Sequence, residues 1–437
     1  MPLNSLITKL GPGIIFAATA IGISHLVQAT RAGADFGLAL AGFILLACVI
    51  KYPAFRFGSE YAAATGQSLV DNYFRQGPWA LLVLVLDLLI SMFVGTAALA
   101  LVSAGLVGSA LSLNLDPKLV VMILLALCAA LLIAGKYHVF EQVSKGFVGL
   151  LLVLIVVATL LVLPGVNWQE ASLTLPGEFD RATLLFIIAL SGVMPSALIV
   201  SVFQSLWVCA KSRDMGAPFN PADARFDFNL GYVISTLLAF GFLILGTVLM
   251  YQPGVTVLDS PNGFAAQLIS LFTTSIGGFA YPIISLVVVV VMVSSLLAVV
   301  DACPRVIGAL ISYRKQAGAE QAGRTAPRRF GELMGQENSP QENRRYALLV
   351  IIQCSGALVL LMLFANSFRA FVDFATSIAF VTAPLIAFLN HRAMFSTDLP
   401  PAHRPGKITE TWSWLGILSM GLFGVSYICF GLLGIGR

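Results

Sequence analysis

The chain has 437 residues, of which 58% are hydrophobic and only 11% are charged, and its formal net charge at pH 7 is +4. Soluble globular domains carry about 25% charged residues, so this composition excludes an ordinary soluble domain and indicates a protein that crosses a membrane several times. The mean hydropathy of +0.91 agrees with this interpretation. The net charge says little about partners, because the distribution of Lys and Arg matters more than their sum in a membrane protein. The lipid bilayer is the expected surrounding, and no nucleic-acid partner is expected.

Eleven apolar segments are long enough to cross a bilayer as helices, since about 20 residues suffice. They predict an all-α membrane protein whose first span follows the N-terminus directly, without a cleavable signal peptide. The segments lie at 11–32, 38–63, 79–107, 118–135, 141–164, 183–208, 228–251, 275–303, 346–365, 368–390 and 411–434.

The distribution of Lys and Arg predicts the orientation of these spans. With the N-terminus in the cytoplasm, 20 of the 25 basic residues fall inside, and the exceptions are Arg31, Lys118, Arg181, Arg369 and Arg437. Cytoplasmic loops are enriched in basic residues. The split therefore predicts a cytoplasmic N-terminus and an external C-terminus, in a plasma membrane such as the bacterial inner membrane.

The first span has a polar interruption at its centre. Residues 18–27 read ATAIGISHLV, which places Gly22, Ser24 and His25 at mid-membrane depth. Polar groups in hydrocarbon need partners, and such a break is typical of a helix that unwinds where it lines a cavity. We predict that these three residues form half of a substrate site. The alternative is that His25 only bonds a neighbouring helix.

The sixth span contains a second interruption, LSGVMPSA at 190–197. Pro195 removes a backbone donor there, and Gly192 loosens the helix. The predicted substrate-binding residues of this break are Ser191, Met194 and Ser196. The alternative is that the two serines satisfy carbonyls freed by the kink and that Met194 fills the core.

Breaks at corresponding positions of the first and sixth spans predict an inverted repeat of two five-helix units. The predicted units are residues 1–164 and 165–392, followed by an eleventh transmembrane helix in 393–437. Residues 312–345 are polar and basic, and they are predicted to form a cytoplasmic loop within the second unit.

Several short motifs resemble those of one transporter family. The first span opens with LGPG at 10–13 and is followed by RAGADFG at 31–37, and the sixth span carries VMP at 193–195. Further matches are VGTA at 94–97, KYHVFE at 136–141 and PL at 384–385. By these motifs the chain resembles the NRAMP (natural resistance-associated macrophage protein) family of proton-coupled divalent-metal transporters. The resemblance implies the leucine-transporter-like fold, which that family shares with sodium-coupled amino-acid symporters.

The departures from the family fall on its metal ligands. Where the family's first span reads Asp-Pro-Gly-Asn, this chain has GISH at 22–25, so the carboxylate is absent. The family's Met ligand in the sixth span is matched by Met194, while Ser196 replaces its His. The resemblance therefore leaves His25 and Met194 as candidate metal ligands, and these suit a soft transition metal better than Mg²⁺ or Ca²⁺.

The same residues also fit a cargo of the opposite charge. A divalent cation that leaves water needs compensating negative charge, and neither break contains a carboxylate. The half-helix after the second break points its positive dipole end at the midplane, and Ser24, Ser191 and Ser196 offer hydroxyl donors. A small anion such as bicarbonate, or a polar solute, is therefore the alternative cargo.

Asp87 and Asp373 are the acidic residues expected deepest inside the predicted spans. Together with His25, they are the candidates for proton or ion coupling. The alternative is that one of the two aspartates pairs with Lys51 or Arg369, and the sequence does not assign the partners.

These observations predict a secondary transporter that works by alternating access, carries an ion or small solute and needs no cofactor. A channel of the same topology and a membrane-bound sensor are the alternatives. The sequence contains no HExxH, no GxSxG and no clustered catalytic dyad, so an enzyme is not expected. The oligomeric state does not follow from the sequence, which is compatible with a monomer.

Overall fold

The computed structural model describes residues 11–112, 115–134, 137–166, 180–251, 256–321, 340–364 and 367–432. Every regular element in these ranges is helical, which confirms the predicted all-α class. The α-helices are α1 (Pro12–Ala20), α2 (Thr30–Phe36), α3 (Ala41–Thr65), α4 (Leu69–Gln76), α5 (Pro78–Ile90), α6 (Thr96–Ala110), α7 (Pro117–Ile133), α8 (Tyr137–Val162), α9 (Arg181–Val193), α10 (Val200–Asp214), α11 (Pro221–Met250), α12 (Pro261–Ile276), α13 (Tyr281–Gln321), α14 (Pro340–Phe364), α15 (Phe368–Val381), α16 (Ala383–Met394) and α17 (Lys407–Ser426).

The described chain contains eight stretches that are long and apolar enough to span a membrane, and each coincides with a predicted span. These stretches are Pro12–Phe36, Ala41–Thr65, Pro78–Ala110, Pro221–Met250, Gly278–Gly308, Pro340–Leu363, Phe368–Met394 and Lys407–Phe430. The three other predicted spans coincide with shorter apolar helices at Pro117–Ile133, Gly149–Gly165 and Arg181–Val193. The protein is a multi-pass integral membrane protein, and the count of eleven spans stays a prediction.

Both predicted interruptions are present. In the first span, α1 ends at Ala20 and a π-helical segment, Ile23–Ala29, leads into α2. In the sixth span, α9 ends at Val193 and α10 begins at Val200. The Met194–Pro195 peptide bond between them is cis. Each of these spans therefore consists of two half-helices that are separated inside the protein.

Glycine allows the first span to approach α11. A Cβ atom on Gly13 would lie 2.0 Å from the carbonyl oxygen of Asp227, so a larger residue does not fit there. The Asp227 carboxylate accepts hydrogen bonds from the Gly11 N–H at 2.9 Å and from the Gly13 N–H at 2.6 Å. The first amides of a helix lack partners within it. The GPG sequence at 11–13 thus fixes the start of α1 on α11.

The second span, α3, contains a proline in its interior. Pro53 has no N–H, so the Val49 carbonyl loses its partner within the helix. The indole N–H of Trp412 in α17 donates to this carbonyl at 2.9 Å. Gly416 allows this approach, since a Cβ atom there would lie 2.3 Å from the Ile50 carbonyl oxygen. The last α-helix therefore supports the second span at its proline.

Two basic residues that the orientation argument counted with the loops, Lys51 as internal and Arg31 as external, are instead buried within helices. Lys51 lies in the middle of α3 with none of its surface exposed, and Arg31 lies in α2 with 2% exposed. Each has partners in the interior, described below, which is why it tolerates burial. Neither residue contributes to the distribution of charge between loops, and the orientation of the chain stays a prediction.

The predicted loop at 312–345 is shorter than expected. Helix α13 continues to Gln321 and α14 begins at Pro340, because the polar ends of this segment are rich in Ala, Gln, Glu, Lys and Arg, which favour helices. Residues 322–339 lie outside the described part of the chain, as does the C-terminal end from 433. The division into units 1–164, 165–392 and 393–437 stays a prediction.

Candidate functional site

A cavity of about 200 Å³ lies between the two breaks. Its walls come from both broken spans, from the region where α5 meets α6, and from α13 and α15. The wall is mostly apolar. Its polar lining residues are Cys303, with a thiol, Trp207, with an indole N–H, and six residues with hydroxyls, namely Thr19, Ser24, Ser91, Ser196, Ser295 and Thr376. None of the described residues that line the cavity carries a formal charge.

The cavity brings together some of the predicted substrate-binding residues. Three of the six line it, namely Gly22, Ser24 and Ser196. The other three are buried beside the breaks but are not among the lining residues, namely His25, Ser191 and Met194. A role for all six in binding the cargo stays a prediction, because only three of them face the cavity in this conformation.

His25 closes the first break. Its Nδ1 lies 2.6 Å from the carbonyl oxygen of Ala20 at the end of α1, and its Nε2 lies 2.8 Å from the carbonyl oxygen of Ser235 in α11. The Ser24 hydroxyl donates to the same Ala20 carbonyl at 2.5 Å. Both ring nitrogens therefore face backbone acceptors. His25 would have to release one of these contacts before it bound a metal ion.

Lys51 closes the second break from a neighbouring span. Its Nζ donates hydrogen bonds to the carbonyl oxygens of Ser191 and Gly192, both at 2.6 Å. The same Nζ lies 4.9 Å from the centre of the Phe380 ring, which is a cation–π contact. Sequence reasoning considered Lys51 as a partner for Asp87 or Asp373 and missed its contact with the second break. The signal was Pro195, which lacks the N–H that would otherwise pair with the Ser191 carbonyl.

Helix α9 has a charged group at each end. At its start, the Thr183 N–H donates to Oδ1 of Asp180 at 2.8 Å. Hydrogen bonds from Thr183 hold the pKa of the Asp180 carboxyl below its ordinary value. At its other end lies the Lys51 ammonium. A negative group at the start and a positive group at the end both complement the helix dipole.

Asp373 pairs with Arg31 and not with either of the basic residues named as alternatives. The guanidinium donates to Oδ1 of Asp373 at 2.7 Å and to Oδ2 at 3.1 Å. Gln28 connects this pair to the cavity wall, since its Nε2 lies 3.0 Å from both Asp373 and Thr376. Arg369, one of these alternatives, instead binds Asp35 at 2.9 Å, because these two residues lie one turn further along the same two helices.

Asp87 lies in α5 with 4% of its surface exposed. Its Oδ1 accepts a short hydrogen bond from the Thr382 hydroxyl. Its Oδ2 has no hydrogen-bond partner among the described residues. A buried carboxyl oxygen without a donor favours the protonated form of the group. Asp87 therefore fits the predicted role in proton or ion coupling better than Asp373, which is paired with Arg31. Both roles stay predictions.

A ready-made metal cluster is absent from the described residues, in which no group of three or more His, Cys, Asp or Glu side chains is placed to hold a metal ion. Cys303 places a sulfur atom at the cavity wall. Its segment shows no metal-binding spacing, so the sequence did not indicate it as a candidate ligand. The predicted ligands His25 and Met194 are not brought together at the cavity wall.

The half-helices after both breaks direct uncapped N-termini at the cavity. Gly22 precedes the π-helical segment of the first span and Ile199 precedes α10, and neither receives a side-chain cap. Both residues line the cavity. The first N–H groups of a helix carry partial positive charge. At the second break, the N–H groups of residues 200–202 already donate to the carbonyls of residues 197–199. The helix dipole, and not a free N–H group at the start of α10, is therefore what favours an oxygen-rich or anionic group there.

Similar proteins of known structure share this architecture. A manganese transporter of Eremococcus coleocola, solved as a mutant, is 12% identical, covers 99% of this chain and 89% of its own, and superposes with a TM-score of 0.64. Mhp1, a nucleobase-cation-symport-1 family transporter solved with bromovinylhydantoin bound, is 15% identical, covers 96% and 92%, and gives a TM-score of 0.53. At these identities the likeness shows the fold, which confirms the predicted leucine-transporter-like class.

Sequence comparison assigns the chain to a family. An uncharacterised protein of Pasteurella multocida (strain Pm70) is 28% identical over 421 residues, which are 95% of this chain and 90% of that protein. Residues 13–429 match the family described as natural resistance-associated macrophage protein-like. Members of this family are transporters and not enzymes. Because the match extends over nearly the whole sequence, this chain belongs to the natural resistance-associated macrophage protein-like (Nramp) family.

Proposed function

We propose that this protein is a secondary transporter that carries a metal ion across the membrane by alternating access. The observation that carries the proposal is a cavity between two pairs of broken half-helices in a member of this family. In transporters built from inverted repeats, cargo binds at the repeat interface and one part rocks against the other around it. The predicted units 1–164 and 165–392 would be these moving parts.

A transition-metal ion is the cargo that family membership supports, and the manganese transporters of similar fold make Mn²⁺ the first ion to test. The groups available to it at the cavity are the hydroxyls of Ser24 and Ser196, the thiol of Cys303 and backbone carbonyls. Thiol sulfur favours transition metals over Mg²⁺ and Ca²⁺. His25 and Met194 would join this set only after the breaks rearrange.

A small anion or polar solute is the second candidate cargo. Family membership does not favour it, but the chemistry of the cavity does. The described lining is neutral, the starts of two half-helices border it, and the Lys51 ammonium lies behind the second break. A carboxylate or bicarbonate oxygen would find hydroxyl donors and the positive ends of two helix dipoles there.

A transport assay that compares both cargo classes tests the proposal. Purified protein in liposomes would be given Mn²⁺, Co²⁺, Zn²⁺ or bicarbonate on one side, with internal pH recorded. We expect saturable uptake of at least one metal ion, which falls when Ser24→Ala and Ser196→Ala are combined. The control is Ser413→Ala, because Ser413 is buried against His391 and lies outside the cavity. Uptake of bicarbonate alone would establish the second candidate, and no uptake at all would reject both.

The same assay separates a carrier from a channel. A carrier that alternates between two openings saturates with cargo, whereas a channel conducts far above carrier turnover. Asp87 is the proposed proton-coupling residue, because one of its buried oxygens lacks a donor. Asp87→Asn should therefore remove any acidification of the liposome interior that accompanies uptake. The orientation with the N-terminus in the cytoplasm of a bacterial inner membrane is part of the proposal.

A further inference from the structure

The carbonyl oxygens of Ser191 and Gly192, at the end of α9, have no hydrogen-bond partner within that helix because of the sequence that follows. In an α-helix, the carbonyl of Ser191 would accept from the N–H of residue 195, which here is a proline without an N–H. The carbonyl of Gly192 would accept from Ser196, which lies beyond the end of the helix. Two neighbouring carbonyl oxygens at the partially negative end of a helix thus lack partners within that helix.

Lys51, in α3, donates hydrogen bonds to both of these carbonyl oxygens. Its Nζ lies 2.6 Å from both carbonyl oxygens and 4.9 Å from the centre of the Phe380 ring. Within the described residues, no salt bridge joins Lys51 to a carboxylate. Its counter-charges are therefore a helix dipole and the face of an aromatic ring. Carbonyl oxygens and a ring face are also what holds a bare monovalent cation in a protein.

The same end of α9 packs tightly against α15, which carries Phe380. A Cβ atom on Gly192 would lie 2.8 Å from the Thr376 carbonyl oxygen and 2.9 Å from Cβ of Phe380. Thr376 itself lines the cavity. The Lys51 ammonium therefore contacts both α9 and α15 where these helices pack together at the cavity wall, although Lys51 does not line the cavity.

We propose that the Lys51 ammonium is a tethered cation, which occupies a monovalent-cation site at the carbonyl end of α9 and thereby holds the second break in its cavity-forming geometry. Lys51 is then a positioning residue and not a ligand of the cargo. The site is filled by the chain itself, so the wild-type protein needs no free sodium, potassium or ammonium ion there. The proposal holds for either class of cargo.

Removal of the tether should create a site for a free cation. In Lys51→Ala, we expect methylammonium, Na⁺ or K⁺ to raise the midpoint of thermal unfolding of the purified full-length protein by roughly 2 °C or more over choline, which is too large for the site. The wild type and Lys51→Arg should show no such difference between salts. Lys118→Ala, which removes an ammonium from an exposed position, is the matched control.

A neutral donor separates charge from hydrogen bonding. Lys51→Gln offers an amide that donates to both carbonyls without a positive charge. We expect Lys51→Gln to be destabilised and Lys51→Arg to stay close to the wild type. If Lys51→Gln matches the wild type in its unfolding midpoint, or if folded Lys51→Ala responds equally to all four salts, the proposal is wrong.

The test remains decisive if Lys51→Ala does not fold in ordinary buffers. The yield of folded protein after extraction would then be compared with methylammonium and with choline present. Recovery with methylammonium supports a cation site, and equal loss with both salts overturns it. These measurements need no transport, so their failure would leave the proposed cargo and mechanism untouched, and the absence of uptake would leave this site untouched.

Discussion

The two breaks are closed by different means. In the first, Ser24 and His25 bond the carbonyl of Ala20, which lies only four and five residues earlier in the same span. In the second, the carbonyls of Ser191 and Gly192 are bonded by Lys51, at a separation of 140 and 141 residues. The first break is bonded mainly within its own span, with one further contact from His25 to the Ser235 carbonyl in α11, whereas the second is bonded by a neighbouring span.

This difference indicates which break is coupled to motion. A shift of α3 relative to α9 would break a charged contact at the second break. At the first break, the bonds to Ala20 would move with their own span, and only the contact between His25 and Ser235 would be lost. The half-helices next to the breaks also meet α15 differently. The first span contacts α15 through the ion pair between Arg31 and Asp373. Helix α9 contacts α15 through close packing at Gly192. Four substitutions test these contrasts.

The largest effect should come from the charged attachment of the first span. Arg31→Met leaves the Asp373 carboxylate without its partner, and loss of one member of a buried pair costs about 3–5 kcal/mol. Because the Asp373 side chain is 28% exposed, we expect the lower end of that range. The unfolding midpoint of the purified protein measures it. The double variant Arg31→Met/Asp373→Asn should recover much of the loss, and equal loss in both variants would show that charge is not the attachment.

The packed attachment of α9 should be nearly as sensitive. In Gly192→Ala, the added Cβ would lie 2.8 Å from the Thr376 carbonyl oxygen. Such overpacking costs about 1–3 kcal/mol. The matched control is Gly22→Ala at the first break, where the nearest atom to a new Cβ, Cδ2 of Leu99, is 4.0 Å away. Thermal unfolding should separate the two variants, and similar midpoints would remove the contrast in packing between the breaks.

The local closure of the first break should matter more for transport than for folding. His25→Ala removes the imidazole that lies between the carbonyls of Ala20 and Ser235, while the Ser24 hydroxyl still donates to Ala20 and supports the fold. Because His25 is adjacent to Ser24, which lines the cavity, its loss changes the geometry of the break, and we expect uptake to fall roughly tenfold or more. His391→Ala, at a buried histidine bound to Ser413, is the control and should transport normally. Wild-type uptake by His25→Ala would exclude His25 from the site.

The smallest effect should come from restoring the family's carboxylate. The space beside Gly22 admits a side chain, so Gly22→Asp should fold. We expect it to raise Mn²⁺ uptake by less than about tenfold, because one carboxylate does not supply the other missing ligands. Initial uptake rates at matched protein content measure this. Strong Mn²⁺ uptake by the variant would mean that one side chain separates this chain from the family's usual cargo.

The predictable parts of this molecule are those that depend on nearby residues. The apolar segments and the two breaks follow from hydrophobicity and from Gly22, Gly192 and Pro195, and the structure confirms the all-α fold. The partners of the breaks depend on contacts between distant spans. Lys51 and Arg31 were therefore counted with the basic residues of the loops, although Lys51 lies in the middle of the predicted span 38–63.

The candidate site was predictable only in outline for the same reason. Gly22, Ser24 and Ser196 face the cavity as expected, but Cys303 and Thr376 reach it from α13 and α15. Nothing in the local pattern of those segments distinguishes these residues from core residues. The pairing of Asp373 with Arg31 likewise depends on which turns of α2 and α15 face each other.

The bond between Trp412 and the Val49 carbonyl has a consequence for the order in which the protein is made. The two residues are 363 positions apart. At synthesis rates of about 5–20 residues per second, the Val49 carbonyl is inserted roughly 20–70 s before the indole that satisfies it. The second span, α3, is thus completed by α17, which leaves the ribosome long after it. A nascent chain that stops before α17 would carry an unfinished second span in the membrane.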